Sequence, residues 1–278
     1  MQTKTIAVDG IPMRWLEDGA GDGLPVVMIH GIPTSPALWR EVMPRVTGGR
    51  CLAWEMVGYG GSMDAGRDRD ISVAAQAGYL LDWMDELALG RAILCGHDLG
   101  GGVAQIAAVR RPEACAGLLL TNAICYDSWP IPSVKSMRAM GGALEHVPDG
   151  MLKPMLAMFY KRGHDDDEAA RAALQAHWPH YQAQDGAAAF VRQMKALNVE
   201  DTKAVADRLP TLKVPARVVW GDDDQFQKLA YGERLARDLG APLRHIPGGK
   251  HFTPEDHPDV LAEELNALIA EVHRTEEP

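Results

Sequence analysis

Three residues in this chain have the types and positions for nucleophilic chemistry: Asp98, Asp224 and His251. Asp98 stands in the stretch Cys95-Gly96-His97-Asp98-Leu99-Gly100-Gly101-Gly102. A short apolar run from Ala92 precedes it and a helical pattern from Val103 to Val109 follows it. Gly-x-Asp-x-Gly between a strand and a helix is a nucleophile-elbow pattern, with Asp where Ser more often stands. Small neighbours let the two backbones nearly touch, which pushes the central side chain into a strained, exposed position. A nucleophile so placed needs a base, and the base needs an orienting acid. His251 follows Gly248-Gly249-Lys250, and Asp224 closes Gly221-Asp222-Asp223-Asp224. Each comes just after an expected strand, in the order nucleophile, acid, histidine that goes with an elbow of this kind. Asp222 stays open as an alternative acid.

The elements that must position these residues follow from apolar patterning. Thr5–Val8 and Met13–Leu16 flank Asp9-Gly10, a hairpin signal. Leu24–Ile29 is a continuous apolar run, as expected of a strand buried on both faces, and it ends in His30-Gly31-Ile32-Pro33-Thr34-Ser35. Leu38–Val46 reads as a short helix and Cys51–Val57 as another strand. Between Ser72 and Leu89 the apolar residues fall at i, i+3, i+4 spacing, which predicts a helix capped by Ser72 and stopped by Gly90. Leu118–Thr121, Ala216–Trp220 and Leu243–Ile246 are further strands. A helix is expected over Ala230–Leu239, and another carries Leu261, Leu265, Leu268 and Val272 on one face. Strands alternating with helices predict a mostly parallel sheet with helices on both faces.

From Tyr126 to Leu212 this rhythm stops. No apolar strand run appears, and Pro130, Pro132, Pro148 and Pro154 divide helical pieces. An excursion of that length needs structure of its own, so residues 126–212 are expected to form a helical cap on a core made of 1–125 and 213–278. The run Asp165-Asp166-Asp167-Glu168 suits the opening of a helix. His177 and His180 are spaced to share a helical face, but no third metal ligand is in view.

The chain has 278 residues, 46% of them hydrophobic, and a formal charge of -10. This charge argues against nucleic acid or an anionic membrane as a partner. No apolar run approaches a membrane span, and the N-terminus lacks a signal sequence, so a cytoplasmic location is expected. The four cysteines form no Cys-x-x-Cys pair and read as reduced core thiols. Gly58-x-Gly60-Gly61 is not followed directly by a helix, so a dinucleotide site is not supported. No cofactor is expected.

On these motifs the sequence resembles the α/β-hydrolase superfamily over nearly its whole length. It is most similar to the branch with an aspartate nucleophile, the haloalkane dehalogenases and epoxide hydrolases. His30-Gly31-Ile32-Pro33-Thr34-Ser35 with Leu38-Trp39-Arg40 is particularly similar to the dehalogenases, and Gly96-His97-Asp98 is shared by both groups. Trp220-Gly221-x-x-Asp224 and His251-Phe252 match the acid and base segments. Asn122 stands where some relatives carry the acid, and as an amide it leaves that role to Asp224. The resemblance implies that Asp98 attacks an sp3 carbon to form an alkyl ester and that His251, held by Asp224, activates the water that cleaves it. It also implies that the N–H groups of Ile32 and Leu99 form the oxyanion hole. The implied partners are a small apolar organic substrate and water, and a homodimer stays open.

The sequence departs from both groups at the leaving group. Dehalogenases usually carry Trp directly after the nucleophile, and many carry Asn after the His-Gly pair. Leu99 and Ile32 stand at those positions. Trp129 or Trp178 could substitute, and His177-Trp178 resembles a dyad of fluoroacetate dehalogenases, whose Arg residues beside the nucleophile are replaced here by Leu99 and Gly102. Epoxide hydrolases protonate the epoxide oxygen with cap tyrosines, for which Tyr126, Tyr160 and Tyr181 are candidates. Phe190-Val191-Arg192 stands where a tyrosine often does.

Overall fold

The structure is a computed structural model that describes residues 1–19, 23–130, 135 and 149–276. β1 (Gln2–Val8) and β2 (Ile11–Gly19) form the hairpin expected around Asp9-Gly10, with φ of 47° and 76° at the two turn residues. β3 (Leu24–Ile29), β4 (Gly49–Trp54), β5 (Ala92–His97), β6 (Cys115–Thr121), β7 (Ala216–Gly221) and β8 (Leu243–Ile246) follow. All eight form one sheet in the order β1–β2–β4–β3–β5–β6–β7–β8. β2 runs antiparallel to β1 and β4, and the strands from β4 through β8 are parallel to one another. β5 and β6 are buried along their whole length, which is why they read as unbroken apolar runs.

α1 (Val73–Glu86) is capped by the Ser72 side chain, which accepts from the Ala75 N–H at 3.2 Å. It ends before Gly90, with positive φ at Ala88 and Gly90 turning the chain into β5. α2 (Leu99–Arg110) starts directly after Asp98 and is buried along all but its last residue. Helices cover both faces of the sheet, the pattern expected of a mostly parallel α/β sheet.

Two short elements differ from expectation. Leu38–Val46 is not an α-helix but two 3₁₀ turns, Pro36–Trp39 and Met43–Arg45. Each has a proline in its first turn, and the amides of Arg40 and Val46 bond three residues back, to Ala37 and Met43. The strand expected to reach Val57 ends at Trp54, because side chains take the next backbone groups. The N–H groups of Met56 and Val57 donate to His30 Nε2 and Gln76 Oε1.

Between β6 and β7 the described residues contain no strand. They form α3 (Asp149–Gly163), α4 (Asp167–Ala183), α5 (Gly186–Ala196), α6 (Glu200–Lys203) and a 3₁₀ turn, Ala206–Thr211. The pieces expected around Pro132 and Pro148 lie outside the described residues. Asp166 caps α4 by accepting from the N–H groups of Glu168 and Ala169, so the acidic run does open a helix. α7 (Leu229–Leu239), α8 (Thr253–Asp256) and α9 (Pro258–Glu276) complete the chain. All four cysteines are free and buried. Among the described residues no helix is long and apolar enough to cross a membrane.

The inserted helices are tied to the sheet by buried polar contacts. Tyr160 Oη donates to the Pro33 carbonyl at 2.9 Å, and Gln193 Nε2 donates to the Gly58 carbonyl at 2.8 Å. His177 Nδ1 lies 3.0 Å from Ser35 Oγ, and its Nε2 lies 3.3 Å from Glu255 Oε1. His164 Nε2 approaches the other oxygen of Glu255 at 3.0 Å. Burial works against the Glu255 carboxylate, but its hydrogen bonds to His164 and His177 prevail and hold it down at about 2.

Candidate active site

Asp98 sits between β5 and α2 with φ 50° and ψ -120°, a strained conformation for a residue with a side chain. The fold makes room for it with glycine. A Cβ on Gly100 would run into the carbonyls of Ile29 and His30, and a Cβ on Gly31 would strike the Asp98 carboxylate itself. The carboxyl end of β3 therefore lies directly against the elbow. Its loop is fixed by His30, whose Nδ1 lies 2.9 Å from the Gly31 carbonyl while Nε2 accepts from Met56. Burial holds the His30 imidazole neutral, with its pKa down at about 3.

That loop presents the Ile32 N–H to Asp98 Oδ2 at 2.9 Å. The Leu99 N–H, first in α2, favours the charged form of the Asp98 carboxylate. The Ile32 donor thus points at an oxygen of Asp98. The other oxygen, Oδ1, lies 3.9 Å from His251 Nε2. Burial pushes the Asp98 carboxyl up, while His251 and the two N–H groups pull it down without cancelling the rise.

His251 Nδ1 lies 2.8 Å from Asp224 Oδ2. Asp224 is itself fully engaged. Its Oδ1 accepts from the N–H groups of Phe226 and Gln227 at 2.7 and 3.0 Å, and its Oδ2 accepts from Asn122 Nδ2 at 2.6 Å. Burial opposes the His251 imidazolium, but Asp224, through charge and hydrogen bond, and Asp98 outweigh it, so the pKa is raised. Asp222 is out of reach as an acid, being paired with His245 at 2.9 Å on the surface. His97 lies beneath the site, its Nε2 2.9 Å from the His251 carbonyl and its ring 4.7 Å from the His251 ring.

A cleft with an empty volume of about 380 Å³ opens above Asp98 and His251. Its walls include Ile32, Leu99, Ile124, Trp129, Phe159 and Phe226. It adjoins an apolar cleft of about 700 Å³ and shares Ile32, Phe159 and Phe226 with it. A carboxylate with one oxygen held by main-chain donors, an imidazole on its other side and an apolar space above can attack carbon and then direct water at the product.

The candidates for stabilising a leaving group behave differently. Trp129 lines the cleft, but its Nε1–H donates to Thr202 Oγ1 at 2.7 Å, and that hydroxyl donates on to the Tyr126 carbonyl. Trp178 does not reach the cleft. It borders an outer depression with Leu174 and Lys153, whose Nζ lies 5.6 Å from its ring. His177 is held by Ser35 and Glu255. Each tyrosine hydroxyl donates within the fold: Tyr126 to Asp238, Tyr160 to Pro33, Tyr181 to Gln193. These side chains are buried, and the donors of Trp129 and the three tyrosines are paired within the fold.

Two residues gain weight from the structure. Asn122, set aside as the acid, holds the acid: its Oδ1 accepts from Gly221 N–H and Thr253 Oγ1 while its Nδ2 serves Asp224. Gln227 lines the cleft, and no sequence pattern singles it out. Among the described residues no group of three His, Cys, Asp or Glu side chains is placed to hold a metal ion. Asp165, in the acidic run, is occupied by Lys250 N–H and His257.

Comparison with known proteins bears on the family and the fold. The profile described as the Alpha/beta hydrolase family matches residues 26–264. The chain is 26% identical to a haloalkane dehalogenase of Mycobacterium marinum, covering 91% of this chain and 87% of that enzyme. It is 27% identical to a haloalkane dehalogenase of Mesorhizobium japonicum, covering 94% of this chain and 88% of that enzyme. Among solved structures, an alpha/beta hydrolase fold protein from Burkholderia ambifaria superposes with a TM-score of 0.84 at 23% identity, over 94% of this chain and 96% of the other. At that identity the superposition speaks for the fold alone.

Proposed function

The chain belongs to the alpha/beta hydrolase family, and on that premise we propose that it is a haloalkane dehalogenase-like enzyme working through a covalent ester on Asp98. The observation that carries this reading is the hydrogen bond from Ile32 N–H to Asp98 Oδ2. With a serine nucleophile, such donors serve an oxygen of the substrate. Here they serve an oxygen of the nucleophile, which becomes the ester carbonyl and then the oxyanion.

In the proposed sequence, a lone pair on Asp98 Oδ1 forms a bond to an sp3 carbon in the cleft, and the carbon–halogen bond breaks with its electron pair on the halide. His251 Nε2 then takes a proton from water as the oxygen attacks Asp98 Cγ. Negative charge collects on Oδ2, where the N–H groups of Ile32 and Leu99 stabilise it. Collapse breaks the Cγ–Oδ1 ester bond, and the alkoxide leaves as an alcohol with the proton held by His251. Asp224 orients the imidazole and stabilises its charged form. The described helices between Asp149 and Lys203 act as a cap beside the cleft, which takes a small apolar substrate and water.

The names of the relatives support a halide as leaving group. Epoxide hydrolysis is the second reading. It is disfavoured because an epoxide oxygen needs an acid, and the hydroxyls of Tyr126, Tyr160 and Tyr181 all donate elsewhere. A binding protein without turnover is a third, and the alignment of Asp98, His251 and the two N–H groups argues against it.

Turnover of haloalkanes and epoxides in oxygen-18 water, followed by peptide mass spectrometry, tests the mechanism. Label is expected in the Asp98 carboxylate, with halide released. An active substrate that leaves no label there would overturn the covalent route, and diol without halide would favour the epoxide reading.

A further inference from the structure

We propose that Gln227 is the hydrogen-bond donor to the departing halide, a role that rests on the dehalogenase reading above. The side chains of Leu99 and Ile32 offer no donor, and the Ile32 main-chain N–H is turned onto Asp98. Among the described residues that line the cleft, four side chains carry a polar atom: Asp98, His251, Trp129 and Gln227. The first two make and cleave the ester. The Trp129 N–H is spent on Thr202. The Gln227 amide is what remains.

Its surroundings suit the role. The Gln227 main chain is pinned at both ends, its N–H to Asp224 Oδ1 at 3.0 Å and its carbonyl to Trp220 Nε1 at 2.9 Å. The residue is 3% exposed, yet its Oε1 is buried with no hydrogen-bond partner among the described residues. A buried amide with an unpaired end is unusual in a folded protein and calls for a functional account. As Asp98 Oδ1 bonds to carbon and the halogen departs with its electron pair, the Gln227 Nε2–H bonds to the halide without giving up its proton.

A single neutral donor in an apolar wall suits a leaving group that carries charge well. Bromo- and iodoalkanes are therefore the better substrates, chloroalkanes the poorer. The adjoining cleft, bordered by Met155, Phe190 and Met194, takes the apolar body of the molecule.

The test uses the full chain with His251→Gln, which blocks ester hydrolysis and lets alkylation of Asp98 be followed by intact mass. Matched chloro-, bromo- and iodoalkanes are compared with and without Gln227→Met. The expected result is a loss of about 10- to 100-fold in the alkylation rate with the chloroalkane, as for a lost hydrogen bond to a charged group, and a much smaller loss with the iodoalkane. Gln227→Glu, of nearly the same shape, is expected to give the same order among halides, and melting temperatures report whether each variant folds. Equal slowing of all three halides, or no slowing, overturns the proposal while the dehalogenase reading stands. Slowed ester hydrolysis with unchanged alkylation, measured with His251 present, assigns Gln227 to water and also overturns it. If His251→Gln gains no adduct from any haloalkane, the dehalogenase reading falls and the proposal with it.

Discussion

The two sides of the cleft are built on opposite plans. On the sheet side, polar groups converge on the reacting atoms: Ile32 N–H on Asp98, Asp224 on His251, Asn122 on Asp224. On the helical side they turn away: Trp129 to Thr202, Tyr160 to Pro33, Tyr181 to Gln193. This side spends its donors on bonds among its own residues and on the core. The inserted helices also hold the base, since the N–H groups of His251 and Phe252 both donate to the Gly163 carbonyl at the end of α3, and Lys250 Nζ donates to the His164 carbonyl. The lesson is a division of labour. In the proposed mechanism the strand ends hold the groups that attack and hydrolyse, while the helices shape an apolar wall and clamp the His251 loop.

The largest expected effect breaks the converging side at its centre. Asp98→Asn removes the nucleophile, and halide release should fall by about 10⁴-fold or more. Halide release kept in this variant would overturn the covalent route through Asp98. Asp224→Asn should cost a comparable factor, about 10⁴, because it disturbs the tautomer and charge of His251.

The same pair governs the pH dependence. His251 works as a base only when neutral, and its pKa is raised above 6.5. Ester hydrolysis should therefore decline as pH falls through a midpoint above 6.5, and Asp224→Asn should move that midpoint down. The stability linkage has the opposite sense. The stabilisation that His251 contributes is fully present below the unfolded pKa and is lost as pH rises through the folded one. A pH–rate profile with its acidic limb at or below the ordinary histidine value would contradict the geometry.

Smaller changes sharpen the comparison. Asn122→Leu strips Asp224 of one of its donors, and a loss of about 10- to 100-fold in kcat is expected, with substrate affinity little changed. On the diverging side, Trp129→Phe removes the hydrogen bond to Thr202. It should cost about 1 kcal/mol of stability in a denaturant titration and leave halide release nearly unchanged. A large fall in halide affinity in that variant would mean that the helical side does donate to the leaving group.

The converging side was legible in the sequence because its signals are local. A nucleophile between small residues after an apolar run, and an acid and a histidine after later runs, are short patterns that the parallel sheet gathers at one edge. Asp98, Asp224 and His251 lie together in the structure, and the Ile32 N–H reaches Asp98. The diverging side was not legible. A tyrosine or tryptophan in an inserted helix reads the same whether its donor faces the cleft or a carbonyl behind it. Leu38–Val46 was misread for a related reason: its apolar spacing is helical, but prolines in both turns hold it to the 3₁₀ form.

The sequence by itself determined the fold family, the strained aspartate and the identity of its partners, because strand burial and tight turns constrain residue type position by position. Tertiary structure alone decided where the side-chain donors of the inserted helices point, that Asn122 donates to Asp224 and that the Gln227 amide oxygen has no partner among the described residues. Those outcomes depend on which distant groups a donor meets once the helices dock. Hydrogen bonds of a few ångströms between residues far apart in the chain have no period for a sequence to display.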